Sequence, residues 1–454
     1  MEFRIEGPLN RFWWSFFVVF SATEVAAGNL LWHVRMNERR VVVTGYGVQS
    51  CVGCGVGPFW DALVNGRCGL GPVTFFDTGE LRTRIAGEIR DFDPLKYMSI
   101  KEAKRLDRFC QLAIAAADEA LKSAGFPVDL REVPGLDTTR VGVLVSSGVG
   151  GLQTMVDQDR LLEAKGCNRV SPLMIPMMIS DLASGNISIR CGAGGPNMGL
   201  VTACSTGTHS IGEAMWMIKR GDAEMMIAGG AEASVTEIGL AGFSAMKAMS
   251  TRNDDPLHAS RPFDRDRDGF VLSEGAGVLV IEELEHAKKR GANILAEVAG
   301  YGATGDAYHI TSPSPDGSGA ARAMRMAMDH AKLRPEEISY INAHGTSTSL
   351  NDKFETLAIK AAFGDAVKHV AVSSTKGTTG HALGAAGGLE SIACIKAIET
   401  GIVPPTINYE TPDPECDLDV TPNTAREMPV ETALNSNLGF GGHNGVLIFR
   451  KFRG

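Results

Sequence analysis

The chain has 454 residues, enough for a large buried core and for two or three domains or one duplicated unit. Its 44% hydrophobic and 21% charged residues are ordinary for a globular protein, and its net charge of −9 excludes wholesale nucleic-acid binding by the surface field. Nine scattered cysteines exclude a dense disulfide scaffold and read as reduced thiols.

The first 35 residues differ from the rest. FWWSFFVVFSA (12 to 22) is strongly apolar, but Thr23 and Glu24 interrupt it short of the roughly 20 residues a bilayer helix needs. Its flanks lack the charged leader and cleavage site of a signal peptide. Either translation begins at Met36, directly before NERRVVVTGYG, or residues 1 to 35 are a membrane-associating extension.

Beyond them, RVVVTGYG (40 to 47) predicts a buried strand and EAKRLDRFCQLAIAAADEALKSAG (102 to 125) a helix. VGVLVSSG (141 to 148), EMMIAGGAE (224 to 232) and GVLVIEE (277 to 283) predict further strands. GLVTACSTGTHSIGEAM (199 to 215) reads as an apolar run, a small-residue turn and a helix starting near Ser205 or Thr206. After the charged stretch EELEHAKKRGAN (282 to 293), LAEVAGYG (295 to 302) repeats the V-x-G-Y-G phrase. ISYINAHG (338 to 345), HVAVSSTK (369 to 376) and NGVLIFRK (444 to 451) predict strands, and STKGTTGHALGAAGG (374 to 388) repeats the turn-and-helix phrase around Cys204. Two echoes in the same order predict an α/β protein of two pseudo-duplicated halves, residues 36–290 and 291–454, with sheets covered by helices.

Four candidates fail as cofactor or metal sites. TGYGVQS (44 to 50) lacks the third glycine and the downstream acid of a dinucleotide turn. DRDRDG (264 to 269) begins like a calcium loop, but its twelfth position is Gly275, with Glu274 one residue early. Cys51 and Cys54 have no second pair, and His344 and His381 have no partner ligand at helical spacing, so spacing gives no zinc site.

Cys204 is the informative residue. A thiol at a helix N-terminus meets free N–H groups and the positive end of the helix dipole, which favour thiolate and can hold an oxyanion. Two histidines on glycine-rich turns, His344 and His381, with Lys376 nearby, suit stabilisation of an enolate oxygen during carbon–carbon bond formation. Taken singly, each is better read as a structural residue.

TACSTG, NAHGTST, STKGTTGHALGAAGGLE and NLGFGGHNG together resemble the four signature segments of the β-ketoacyl-acyl carrier protein synthases, the type II elongating condensing enzymes of the thiolase superfamily. RVVVTGYG, residues 249 to 277, GDAYHITSPSPDG (305 to 317) and VPPTINYETPDPECDLD (403 to 419) fit too, so the similarity runs from about residue 39 to 452.

The resemblance implies a thiolase-like fold of layered α-β-α-β-α architecture, a cytoplasmic homodimer and fatty-acid elongation. Malonyl-carrier protein would condense, with loss of carbon dioxide, onto an acyl chain held on Cys204. A ketosynthase of a polyketide or specialised-lipid pathway is the alternative. A chain-length factor would lack the cysteine, and a degradative thiolase would carry a second one near the C-terminus. His344 and His381 would support decarboxylation, and Lys376 with Asp352 and Glu355 would form a charged network around His344. The Cys204 and Phe440 amides would make the oxyanion hole, with Phe440 as gate over an acyl pocket bounded by Val149 and Leu438. Leu438 stands where the family usually has Phe, and Val149 where it often has Ile. Thr346 and Thr348 would line the pantetheine channel. The implied partner is acyl carrier protein, docked at Lys101, Lys104 and Arg105 on one helix face. No cofactor is implied, because 4'-phosphopantetheine enters attached to the carrier. Asn342, Glu390, Asn435 and Ser436 would hold a monovalent cation or form a buried hydrogen-bond network.

Overall fold

The computed structural model describes residues 39–454. The apolar run at 12 to 22 and the start expected at Met36 lie outside the described residues. The first half contains strand β1 (Val41–Ser50), helix α1 (Arg108–Ser123), β2 (Val141–Ser146), α2 (Thr206–Arg220), β3 (Met225–Glu232) and β4 (Gly275–Glu283). The second half contains β5 (Ala296–Gly305), α3 (Ser318–Ala331), β6 (Tyr340–Asn342), α4 (Ser349–Phe363), β7 (Ala371–Ser373), α5 (Ala386–Thr400), β8 (Thr432–Gly439) and β9 (His443–Arg450).

The two halves repeat one topology. Strand order is β2-β3-β4-β1 in the first and β7-β6-β8-β9-β5 in the second. The pair β2/β3 is parallel, as are β6/β8 and β7/β6, and the other two steps in each half are antiparallel. Where the second half has β7, the first has only a parallel bridge from Val143 to Asn197. The first strands meet over Val42↔Glu297 and Val43↔Ala296, joining the halves into one 10-stranded sheet.

The echoed V-x-G-Y-G phrase has a packing cause. Helix α1 crosses β1 so closely that a Cβ on Gly45 or Gly47 would lie 2.2 Å from the Ala120 carbonyl oxygen or 2.0 Å from that of Ala116. Gly300 and Gly302 meet the Ala327 and Ala323 carbonyls of α3 at 2.1 and 2.0 Å. Helix α1 thus covers β1 and β4, and α3 covers β5 and β9, with α4 against α3. Helices α2 and α5 pack on each other between β3, β4 and β8, which completes the expected five layers.

Two local expectations are corrected. The helical pattern at 102 to 125 breaks: a short helix, Ile100–Ala103, ends before α1 begins. Asp107 caps α1 by accepting from the Phe109 N–H, and the same carboxylate accepts from the Thr154 hydroxyl at 2.6 Å. Lys101, Lys104 and Arg105 are exposed but do not share one continuous helix face. Strand β8, rich in Asn, Ser and Gly, carried no strand signal, yet it pairs on both edges.

Candidate active site

Each central helix is entered by the same kink. Ala203 has φ 52° and leads into the turn Ala203–Ser205 before α2; Leu383 has φ 44° and leads into Leu383–Ala385 before α5. Left-handed backbone at a residue with a Cβ costs on the order of 1–3 kcal/mol and persists only where surroundings impose it. Here glycines impose it by letting the two turns touch. A Cβ on Gly207 would sit 2.9 Å from the Gly384 oxygen, one on Gly387 2.3 Å from the Thr208 nitrogen, and one on Gly230 2.1 Å from the Gly384 oxygen. Cys204 and Gly384 occupy equivalent places in the two turns. Glu232 staples the second turn to the segment before Val149: its carboxylate accepts from the Gly148 N–H at 2.9 Å, the Gly384 N–H at 3.1 Å and the Ser147 hydroxyl at 2.8 Å.

His381 stands just before the second turn and His344 just after β6, so both reach Cys204. The thiol and one nitrogen of each ring lie within 4.8 Å of one another. The imidazoles meet edge to face, centroids 5.2 Å apart at 85°, and Phe270 packs against His381 at 5.5 Å. All three polar residues are buried.

Burial sets their charge states. It pushes the Cys204 thiol up to about 12, against the opposing pull of the Lys376 charge and the Phe440 backbone N–H. The helix N-terminus expected to favour thiolate is therefore outweighed by desolvation, and the resting group is a thiol. Desolvation first, and the Lys376 charge second, hold both imidazoles well below the ordinary histidine range. Neutral, each ring has one N–H to offer. The Asn437 side chain donates to His344 Nδ1 at 3.4 Å, which leaves the His344 proton on Nε2.

Lys376 does not make the ion pair that its expected network implied. It pairs with Glu390, from the first turns of α5, and the Glu390 carboxylate also accepts from Asn437 at 2.7 Å. Glu355 instead accepts from the His344 and Gly345 backbone N–H groups, both at 2.7 Å, and burial lifts its carboxyl to about 7. Asp352 lies one step out, accepting from Phe263 N–H at 2.8 Å and facing Arg267 at 3.8 Å. Lys376 acts on Glu355 and both histidines through its charge.

A cavity of about 240 Å3 opens onto the trio, lined among others by Phe270, Thr346, Thr348, Leu438 and Phe440. Thr346 and Thr348 stand hydroxyl to hydroxyl at 3.0 Å, and Thr348 also caps α4. Val149 is not among the lining residues of this single chain; it is 42% exposed, facing outward beyond the Glu232 staple. Asn437, Phe270 and Glu232 were missed in the sequence. Only the polarity of NSNLGF, within a segment otherwise read for its glycines, could have pointed to Asn437.

Two groups could hold a cation. Asn342 and Asn435 have buried side-chain oxygens without partners, as does the Ser436 hydroxyl, and Glu390 is linked to them through Asn437. The second group is the trio itself. Among the described residues, Cys204, His344 and His381 are the one cluster of three His, Cys, Asp or Glu donors at metal-binding separations, although their sequence spacing gave no such hint. The calcium-like loop is structural, with Asp264 buried and accepting from the Glu410 and Thr411 N–H groups.

The family model described as "Beta-ketoacyl synthase, N-terminal domain" matches residues 38–287, and its C-terminal counterpart matches residues 295–410. A 3-oxoacyl-[acyl-carrier-protein] synthase 2 of Synechocystis sp. is 50% identical over 418 residues, covering 92% of this chain and 99% of the relative. Its namesake in Staphylococcus aureus is 51% identical over 415 residues, covering 91% and 99%. Among solved structures, a ketosynthase in complex with its type II PKS acyl-carrier protein and bound to the hexaketide superposes with a TM-score of 0.84 at 35% identity, covering 91% of this chain and all of that one.

Proposed function

The chain belongs to the β-ketoacyl synthase family, and from that premise we propose that it elongates acyl chains by decarboxylative condensation of malonyl-acyl carrier protein, yielding β-ketoacyl-acyl carrier protein. The observation that carries this reading is the meeting of one protonated thiol and two neutral imidazoles at the floor of one cavity.

In the first step the Cys204 sulfur attacks the thioester carbonyl of an acyl-carrier substrate. The Cys204 and Phe440 amides hold the oxyanion, a contribution on the order of 3 kcal/mol per donor. The carbon–pantetheine sulfur bond breaks, and the departing sulfur takes a proton in place of the one Cys204 gives up. Malonyl-carrier protein then loses carbon dioxide, and the electron pair delocalises onto its thioester oxygen, where the His344 and His381 N–H groups hold it. The carbanion attacks the acyl carbonyl. Collapse expels the Cys204 thiolate, which regains one proton, so the cycle consumes one proton and releases carbon dioxide.

Lys376 and Glu355 serve as positioning residues for the two histidines, with Asp352 behind them. Thr346 and Thr348 flank the pantetheine arm, and Phe440 with Leu438 gates the acyl pocket. Val149, Met155, Leu162, Ile175, Ile189 and Val201 are each at least 41% exposed. Apolar exposure of that extent supports a homodimer in which a second copy covers Val149. The division between halves falls near residue 290, after the helix Leu284–Lys289 that links β4 to β5. Lys101, Lys104 and Arg105 supply the local positive charge an acidic carrier protein requires. The partnerless oxygens of Asn342, Asn435 and Ser436 suit a monovalent cation beside Glu390. Free cysteines and the absence, among the described residues, of any helix long and apolar enough to cross a membrane support a cytoplasmic location.

Elongation reconstituted with carrier-bound primers of graded length, with products read by mass, tests the reading. One two-carbon extension per malonyl unit is expected. Cys204→Ser should abolish it, whereas Cys204→Gln, a mimic of the acylated state, should keep releasing carbon dioxide; full condensation by the Ser variant would overturn the assignment. A polyketide ketosynthase is the second reading, favoured by the solved neighbour. Unreduced poly-β-keto products made from malonyl units alone would select it.

A further inference from the structure

We propose that Cys204, His344 and His381 also form a site for a thiophilic divalent cation of the Zn2+ class, whose capture reversibly blocks the nucleophile. The metal site rests on donor chemistry and geometry alone, and its blocking effect rests on the condensing role of Cys204 proposed above.

One sulfur and two imidazole nitrogens are a donor set that Zn2+ selects. In the structure the three donor atoms lie within 4.8 Å of one another. Tetrahedral Zn2+, with bonds of about 2.3 Å to sulfur and about 2.0 Å to nitrogen, separates such donors by roughly 3.3 to 3.6 Å. Closing on the ion therefore needs movement on the order of 1 Å. The His381 ring is not tied down at Nδ1, which is buried without a protein partner. The fourth position faces the cavity, where a water or a substrate atom completes the shell.

Coordination replaces the S–H bond of Cys204 by an S–Zn bond, and the proton leaves to solvent. Both imidazoles are already neutral. For His344 to bind through Nε2 its proton must move to Nδ1, which gives up the 3.4 Å contact from Asn437. Lys376 opposes a second cation nearby, but it is paired with Glu390, and the carboxylate of Glu232 acts on Cys204 from the other side. Acyl transfer needs the same sulfur lone pair, so a metal-loaded Cys204 accepts no acyl group.

Cobalt titration of the full chain tests the proposal, with Co2+ as a visible stand-in for Zn2+. One equivalent should produce a thiolate-to-cobalt charge-transfer band and the intense visible absorption of four-coordinate Co2+, both lost on adding Zn2+ and both absent in Cys204→Ala. His344→Ala and His381→Ala should each weaken Zn2+ by at least the roughly 10- to 100-fold that loss of an outer-shell partner costs. Unchanged binding in Cys204→Ala, a spectrum without the sulfur band, or wild-type affinity in either histidine variant would overturn it. If a variant does not fold, the wild type decides. Stoichiometric Zn2+ should slow iodoacetamide alkylation of Cys204 tenfold or more, read by peptide mass and reversed by EDTA, and unchanged alkylation refutes the site. Failure of the wild type to bind Co2+ or Zn2+ would leave the outcome of the condensation assay unchanged, so the two readings fail separately.

Discussion

Replacing Lys376 by Met separates the electrostatic and structural roles of the buried pair beneath the site. Lys376 is 1% exposed and Glu390 4% exposed. Removing one member of such a pair leaves an uncompensated buried charge and costs about 3–5 kcal/mol, whereas replacing both by apolar residues of similar volume is often near neutral. Glu390 also accepts from Asn437, so Lys376→Met/Glu390→Met strands one amide donor, worth about 1–3 kcal/mol. Urea unfolding should therefore place the double variant closer to wild type than Lys376→Met alone. Activity should behave differently. Lys376 disfavours both imidazolium forms, so its loss raises the two histidine pKa values. At a given pH a smaller fraction of each histidine is then neutral, and the acidic limb of the kcat/KM profile moves to higher pH in both variants. Stability effects that add within about 0.5 kcal/mol, or an acidic limb that stays in place, would refute this reasoning.

Alkylation of Cys204 by iodoacetamide should rise about tenfold per pH unit without a plateau up to the limit of protein stability. A thiol held near 12 is thiolate to only about one part in ten thousand at pH 8, and a plateau near pH 9 would contradict it. Gly47→Ala and Gly302→Ala should each destabilise by about 1–3 kcal/mol or more through forced separation of strand and helix. Gly57→Ala, in a helix with nothing within 4 Å of its new Cβ, should be neutral or stabilising; calorimetry on the three variants checks the contrast. Reversing Lys101, Lys104 and Arg105 to Glu should raise the apparent KM for carrier protein and spare small acyl-thioester analogues. Equal losses on both substrates would argue against docking there.

Much of the site was legible because its chemistry sits in short, glycine-bound phrases. Cys204, His344, His381 and the helix start at Thr206 could each be read locally, and the V-x-G-Y-G echo reported a real duplicated contact. What was illegible depends on partners far along the chain. The helix break at Asp107 needs Thr154, which shares its carboxylate from 47 residues away. Strand β8 is a strand because β6 and β9 flank it, and its polar residues are buried because Asn437 finds Glu390 and Asn435 finds the Gly387 carbonyl. Lys376 was read against the acids of α4, while α5 supplied its partner. A spacing test for metal ligands examines one element at a time, so it could not register three donors delivered by three separate turns.

The paired kinks at Ala203 and Leu383 have a consequence for where a nucleophile can stand. The two turns are equivalent in backbone, but one carries Cys204 and the other carries Gly384 in its place. A side chain placed at Gly384 would meet the Gly148 backbone nitrogen at 2.4 Å and Glu232 Oε2 at 3.0 Å. A second thiol is thus barred by main-chain atoms, not by one codon. The silent turn can change shape only together with the segment that leads to Val149 and with the carboxylate that clamps both.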